Sequence, residues 1–146
     1  MIATAQTIHL LSSILMMLVM ILVQILIYPQ FHHVGLDKLS AYAEFHSRRI
    51  SLVVIPLMLT EASSLLTLIF VFKLSSWNLY IAAALLFIVW LYTFFVVVPI
   101  HKKLVKANPK NSFVEDLNTL NSYRTILWLT KGVISIDIYL NFLANQ

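Results

Sequence analysis

The distribution of charge constrains this chain more than any other feature of it. No Asp, Glu, Lys or Arg occurs before Asp37, and none occurs from Leu74 to Ile100. Ile50 to Phe72 carries a single charge, Glu61, and Thr125 to the end carries two, Lys131 and Asp137. A hydrocarbon core of about 30 Å takes about 20 apolar residues to cross as an α-helix. Each stretch is long enough to do so. The expectation is an all-α integral membrane protein, an up-down four-helix bundle with spans at about 8–28, 50–72, 77–98 and 125–142.

Composition agrees. The chain is 60% hydrophobic and 11% charged, where a soluble domain carries about a quarter charged residues. Four spans and short connections account for residues 1–146, so a single membrane domain with no soluble module is expected. There is no cysteine, hence no disulfide, thiolate ligand or cysteine nucleophile. The first apolar run lacks a basic leader and a small-residue cleavage site, so it reads as a retained span rather than a signal peptide. Two glycines leave no room for a glycine-rich phosphate loop, and no repeat is obvious.

Helical sequence extends beyond two of the spans. The run from Leu39 to His46 suits a helix that starts near Leu39, ahead of span two. Ser112 and Glu115 form a capping-box pattern, so the fourth helix should start near Phe113, just after Pro109. The segments joining spans one to two and three to four hold Lys38, Arg48, Arg49, Lys102, Lys103, Lys106, Lys110 and Arg124, whereas the opposite side holds only Lys73. Such a bias places the basic segments in the cytoplasm and both termini outside. The same charges would attract anionic headgroups.

Polar groups are costly in lipid and turn inward. At 1.5 Å per residue, Glu61 and Asp137 each lie about 16 Å inside their spans, so the two carboxyls are expected at the midplane, where they could relay a proton. Simple hydrogen bonding of each, or Asp137 facing a second copy in a homo-oligomer, is the alternative. Lys131, about 8 Å in, should snorkel toward the headgroups, with pairing to Glu61 second.

Helical stripes converge at one level. Asn121, Arg124, Trp128, Lys131 and Ser135 share a face of helix four, His46 and Arg49 a face of helix two, Trp90, Thr93 and His101 a face of helix three, and Gln24 and Tyr28 a face of helix one. The expected pocket, in the cytoplasmic half, holds Gln24, Tyr28, Tyr42, His46, Arg49, Trp90, Thr93, His101, Asn121, Arg124 and Trp128. His32, His33, His46 and His101 lie near the same face, while His9 reads as a helix-end residue at the other. Histidines can move protons or hold metal, but no HExxH or similar ligand spacing occurs, so no metal or other cofactor is expected. A haem or metal would need His46 and His101 as its pair. Arg49 and Arg124 could grip a carboxylate or phenolate through forked hydrogen bonds, or pair with Glu44, Glu115 or Asp116.

Two motif pairs carry a resemblance. Val98-Pro99-Ile100-His101-Lys102-Lys103-Leu104 with Asn121-Ser122-Tyr123-Arg124-Thr125, and Tyr28-Pro29-Gln30-Phe31 with His46-Ser47-Arg48-Arg49-Ile50, are similar to those of small bacterial membrane proteins of the anthrone-oxygenase-like type. His101 stands where that group has Asn. The resemblance implies a four-helix membrane fold in a bacterial inner membrane and, from fungal members, cofactor-free oxygenation of an anthrone to an anthraquinone. It implies that Pro99, His101, Asn121, Arg124 and Thr125 line the site.

Two functions follow as expectations. One is a membrane oxidoreductase acting on a lipophilic aromatic or quinone-like molecule, with His46 or His101 as general base and Arg49 or Arg124 stabilising the anion. The other is a non-enzymatic component, a proton or solute path or an accessory subunit, built on Glu61, Asp137 and Lys131. The partners expected are the bilayer and a small lipophilic molecule, with no nucleic acid.

Overall fold

The computed structural model describes residues 1–105 and 111–145, and among them there is no strand. Each apolar stretch lies within a longer helix: α1 Ile2–Phe31, α2 Leu36–Val71, α3 Trp77–Val105 and α4 Asn111–Ala144. All four are long and apolar enough to cross a membrane. At 1.5 Å per residue they run about 44 to 54 Å, so each overshoots an apolar core by several turns. The helices of spans two and four begin at Leu36 and Asn111, slightly ahead of Leu39 and Phe113. Lys106, Pro109 and Lys110 lie outside the described residues, as does the Ser112 side chain of the capping-box pattern.

Short connections force sequential helices to run antiparallel. The α2–α3 turn is closed by Lys73 in the left-handed region (φ 52°) and by Leu74 N donating to the Leu68 carbonyl at 3.0 Å. Ser76 then caps α3, its hydroxyl accepting from Leu79 N at 3.3 Å. Helix α1 packs along α2 and α4, and α3 packs along α4. The fourth seam differs. Helix α2 meets α3 chiefly through Val98–Val105 and barely touches Trp77–Tyr92, so these two helices part toward the middle of the bundle.

Among the described residues three turns widen to the π form, at Val23–Ile27 in α1, Thr67–Val71 in α2 and Thr93–Val97 in α3. Two have a common cause. Each begins six residues before a proline, 23 before 29 and 93 before 99. Proline has no N–H to donate and its ring crowds the carbonyl four residues back, so the hydrogen-bond ladder opens there. The two hairpins share more than this turn. Pro29 is followed by His46-Ser47-x-Arg49 in α2, and Pro99 by Asn121-Ser122-x-Arg124 in α4, an internal correspondence that was not obvious from sequence.

The interior is filled by two apolar clusters. One, around Met16, Met20, Met58, Leu65 and Trp128, occupies the middle and the half nearer the termini. The other, around Val23, Tyr28, Phe31, Leu39 and Leu117, occupies the basic end. The outer faces carry Leu22, Ile25, Phe70, Phe87 and Phe95, each more than half exposed.

Candidate active site

The parting of α2 from α3 leaves a cavity of about 570 Å³, within the range of small-molecule sites. Its walls come from α2 and α3, and its floor from Val23 and Tyr28 of α1 and Arg124 of α4. Ile55 and Phe94, on facing walls, are 53% and 54% exposed, so the cleft opens sideways rather than along the bundle axis.

Polar groups concentrate toward the basic end of the cavity. The His46 and His101 rings stack with centroids 6.0 Å apart and planes 25° from parallel. Tyr28 packs against both, at 6.0 and 5.9 Å, and its hydroxyl is hydrogen-bonded to His101 Nε2 at 2.9 Å. Ser47 Oγ lies 3.5 Å from His101 Nδ1. His101 is thus held at both nitrogens, whereas His46 Nε2 is buried and has no partner. The Arg124 guanidinium lies within electrostatic reach of Tyr28, His46 and His101. It is 8% exposed, no carboxylate pairs with it among the described residues, and its Nε has no hydrogen-bond partner. A buried cation without a counter-ion is costly, and such a group suits an anion that arrives in the cavity. Thr93 Oγ1, farther from the basic end, is also buried and unpartnered.

Of the residues expected in one pocket, Tyr28, His46, Thr93, His101 and Arg124 meet in this cavity. The others lie elsewhere. Arg49 is exposed, its guanidinium 5.4 Å from the Phe45 ring centroid. Phe45 is one turn earlier on the outer face of α2, and stacking on it draws Arg49 outward. Gln24 and Asn121 form a clasp between α1 and α4: Asn121 Nδ2 donates to Gln24 Oε1 at 2.7 Å, and Gln24 Nε2 to Asn118 Oδ1 at 2.7 Å. Tyr42 packs on Phe31 at 4.9 Å and donates to Gln30 at 3.1 Å. Trp128 is buried in the core, and Trp90 packs edge-on against Phe94. His32 and His33 are exposed in the α1–α2 connection. Glu44 pairs with Arg48 at 2.6 Å rather than with Arg49 or Arg124.

A second polar centre lies in the half nearer the termini, and it corrects three expectations. Lys131 does not snorkel; it is fully buried and ion-paired with Glu61, which is fully buried too. Asp137 does not meet Glu61: it is exposed and accepts from Asn78 and Asn141 near the ends of α3 and α4. His9 is no helix-end residue but lies 1% exposed between Ser64 Oγ (3.4 Å) and Ser135 Oγ (3.3 Å). Ser13 completes the centre, donating to Glu61 at 2.6 Å and accepting from Lys131 Nζ at 2.8 Å. The reason is local satisfaction. Lys131 finds a carboxylate and a hydroxyl within reach, so it need not extend toward water. His9 and Ser13, four residues apart in a charge-free helix, were the available sequence signal.

Among the described residues no three His, Asp or Glu side chains converge as metal ligands would. Of the His46–His101 pair, His46 Nε2 is the open buried nitrogen, while both His101 nitrogens face hydroxyls, those of Tyr28 and Ser47. Comparison with protein-family models, with curated proteins and with solved structures found no match for this chain.

Proposed function

We propose that the chain is an integral protein of a bacterial inner membrane, with its basic connections cytoplasmic and both termini outside, and that it oxygenates a lipophilic aromatic or quinone-like substrate. The four apolar helices, their exposed outer faces and the eight-to-one basic bias toward one end support the first part. The observation that carries the second is Arg124: a buried guanidinium with no carboxylate partner among the described residues, beside a histidine with a free nitrogen, at the polar end of an otherwise apolar cavity. The resemblance to anthrone-oxygenase-like proteins points the same way.

In this reading His46 Nε2 removes a proton from the substrate, and Arg124 stabilises the phenolate or enolate that results. His101, fixed by Tyr28 and Ser47, orients the pair. The carbanionic carbon then adds dioxygen to give a hydroperoxide. Loss of water leaves a carbonyl, so the carbon is oxidised by four electrons while one oxygen atom enters the product and the other leaves as water. No cofactor takes part.

The test is oxygen uptake by the detergent-purified protein with a hydroxyanthrone, after absorbance and elemental analysis of the same sample. His46→Ala should lower the rate about 10²–10⁴-fold and Arg124→Gln about 10²–10³-fold, while Arg49→Gln leaves it unchanged. Rates within threefold of wild type in the first two variants would refute this chemistry. So would a stoichiometric metal or a Soret band that is lost in both His46→Ala and His101→Ala. A second reading, a proton path with no catalysis, draws on the hydrogen-bonded series from Ser64 through His9, Ser135 and Ser13 to Glu61 and Lys131. Asp137 has no part in it.

A further inference from the structure

The cavity is graded along its length. At the basic end its lining includes Glu44, Arg48 and Lys102 at the rim, and the His46–His101 pair with Arg124 inside. Three cations there face one carboxylate, which favours an anionic head. Farther in, past Ser51 on α2 and Val97 on α3, the walls are Val54, Ile55, Met58 and Phe94, with Thr93 the one polar side chain. This order, charged at the basic end and apolar toward the middle of the bundle, is that of a lipid in one leaflet. The opening past Ile55 and Phe94 faces sideways, where the bilayer would be. The volume suits one ring and one chain, not a two-chain phospholipid.

We propose that the occupant of this cavity is a ring-headed amphiphile with a single apolar tail, drawn from the cytoplasmic leaflet through the gap between α2 and α3, its acidic or phenolic head at His46, His101 and Arg124 and its tail along Val54, Ile55, Met58 and Phe94. The inference rests on the cavity being a substrate site in a membrane, as proposed above. It adds the tail, its direction and the route. A free polycyclic ring would fill the polar end and leave the apolar half open. From His101 to Thr93 the cavity wall spans eight residues, about 12 Å. A chain of about ten carbons would lie along it.

The experiment uses the wild-type protein in vesicles with a probe whose label reports the position of the tail end: a naphthol carrying an alkyl chain of about ten carbons with a terminal diazirine. After irradiation, labelled peptides are mapped by mass spectrometry. The expected result is label concentrated at 54–58 of α2 and 93–97 of α3, displaced by excess tail-less naphthol and reduced at least tenfold in Arg124→Gln. A second variant, Val98→Trp, fills the cavity from its α3 wall and should reduce the label equally if folding is retained by circular dichroism. Label at 44–48 and 102–105 would reverse the ligand and overturn the inference. Label spread evenly over all four helices, as from bulk lipid, would overturn it as well. If tail-less naphthol still binds with dependence on Arg124 in either case, the substrate site stands and only the tail and route fall. If no naphthol binds in an Arg124-dependent way, both fall together.

Discussion

The Lys131–Glu61 pair lends itself to a quantitative test. Both side chains are fully buried, one on α4 and one on α2, and Ser13 of α1 bonds to each. Replacing Lys131 by Met leaves Glu61 with one donor, the Ser13 hydroxyl, in the interior of an apolar bundle. Replacing Glu61 by Leu leaves the ammonium with the same single hydroxyl. Stranding one member of a buried pair costs about 3–5 kcal/mol, which shifts the unfolding equilibrium by roughly two to four orders of magnitude. A polar contact that merely adds a hydrogen bond between membrane helices contributes about 0.6 kcal/mol, so the two explanations differ well beyond error. The double variant removes both charges, and the Ser13 hydroxyl, freed from Glu61, can donate to the His9 carbonyl 2.8 Å away. It should be within about 1 kcal/mol of wild type or more stable. Unfolding by SDS in mixed micelles, followed through the fluorescence of the three tryptophans, of which Trp128 is buried, measures all four proteins. Single variants that each cost less than about 1 kcal/mol, or a double variant as unstable as the sum of the singles, would show that the two groups are not coupled as their geometry requires.

Two further outcomes follow from the packing. A Cβ added at Gly132 would sit 1.9 Å from Met17 Sδ and 2.5 Å from its Cγ, so α1 and α4 touch there through the methionine; Gly132→Leu should destabilise by about 1–3 kcal/mol, and Met17→Ala should restore most of it in the same SDS titration. Asn121→Ala opens the clasp with Gln24 and should cost about 0.6–1.7 kcal/mol while leaving oxygen uptake intact, and a variant inactive at full stability would return Asn121 to the reacting site.

The membrane-length helices were legible because the absence of charge over twenty residues has few solutions. The basic end of the cavity was legible for a similar reason: Tyr28, His46, His101 and Arg124 come to one level on helices whose order follows from short connections, with Thr93 farther in along the same wall. What the sequence leaves undecided is rotation and partnership. Arg49 and Arg124 occupy equivalent places in the two hairpins, three residues after His46 and Asn121. Only the exposed Phe45 beside one of them, and the cavity beside the other, separates their fates. Lys131 is decided by Glu61 and Ser13, residues on other helices, and no periodicity within α4 reports them. Asn121 and Gln24 were placed at the right level, but their donors are spent on the clasp between α1 and α4, where Asn121 Oδ1 is left without a partner.

The widened turns at Val23–Ile27 and Thr93–Val97 set which side of each helix the later residues present. In an unbroken α-helix, His101 would lie about 80° around the axis from Thr93; one residue absorbed in the wide turn brings it to about 20°. Tyr28 is carried from about 140° away from Val23 to about 40° in the same manner. Both pairs line the cavity. The prolines therefore act as angular offsets, and the cavity-lining face is written in two phases, one before each wide turn and one after it. Loss of one residue between 93 and 97 would restore an ordinary helix and leave His101 aimed where it is, whereas the same loss elsewhere in α3 between Thr93 and His101 would swing it about 100° away from Tyr28.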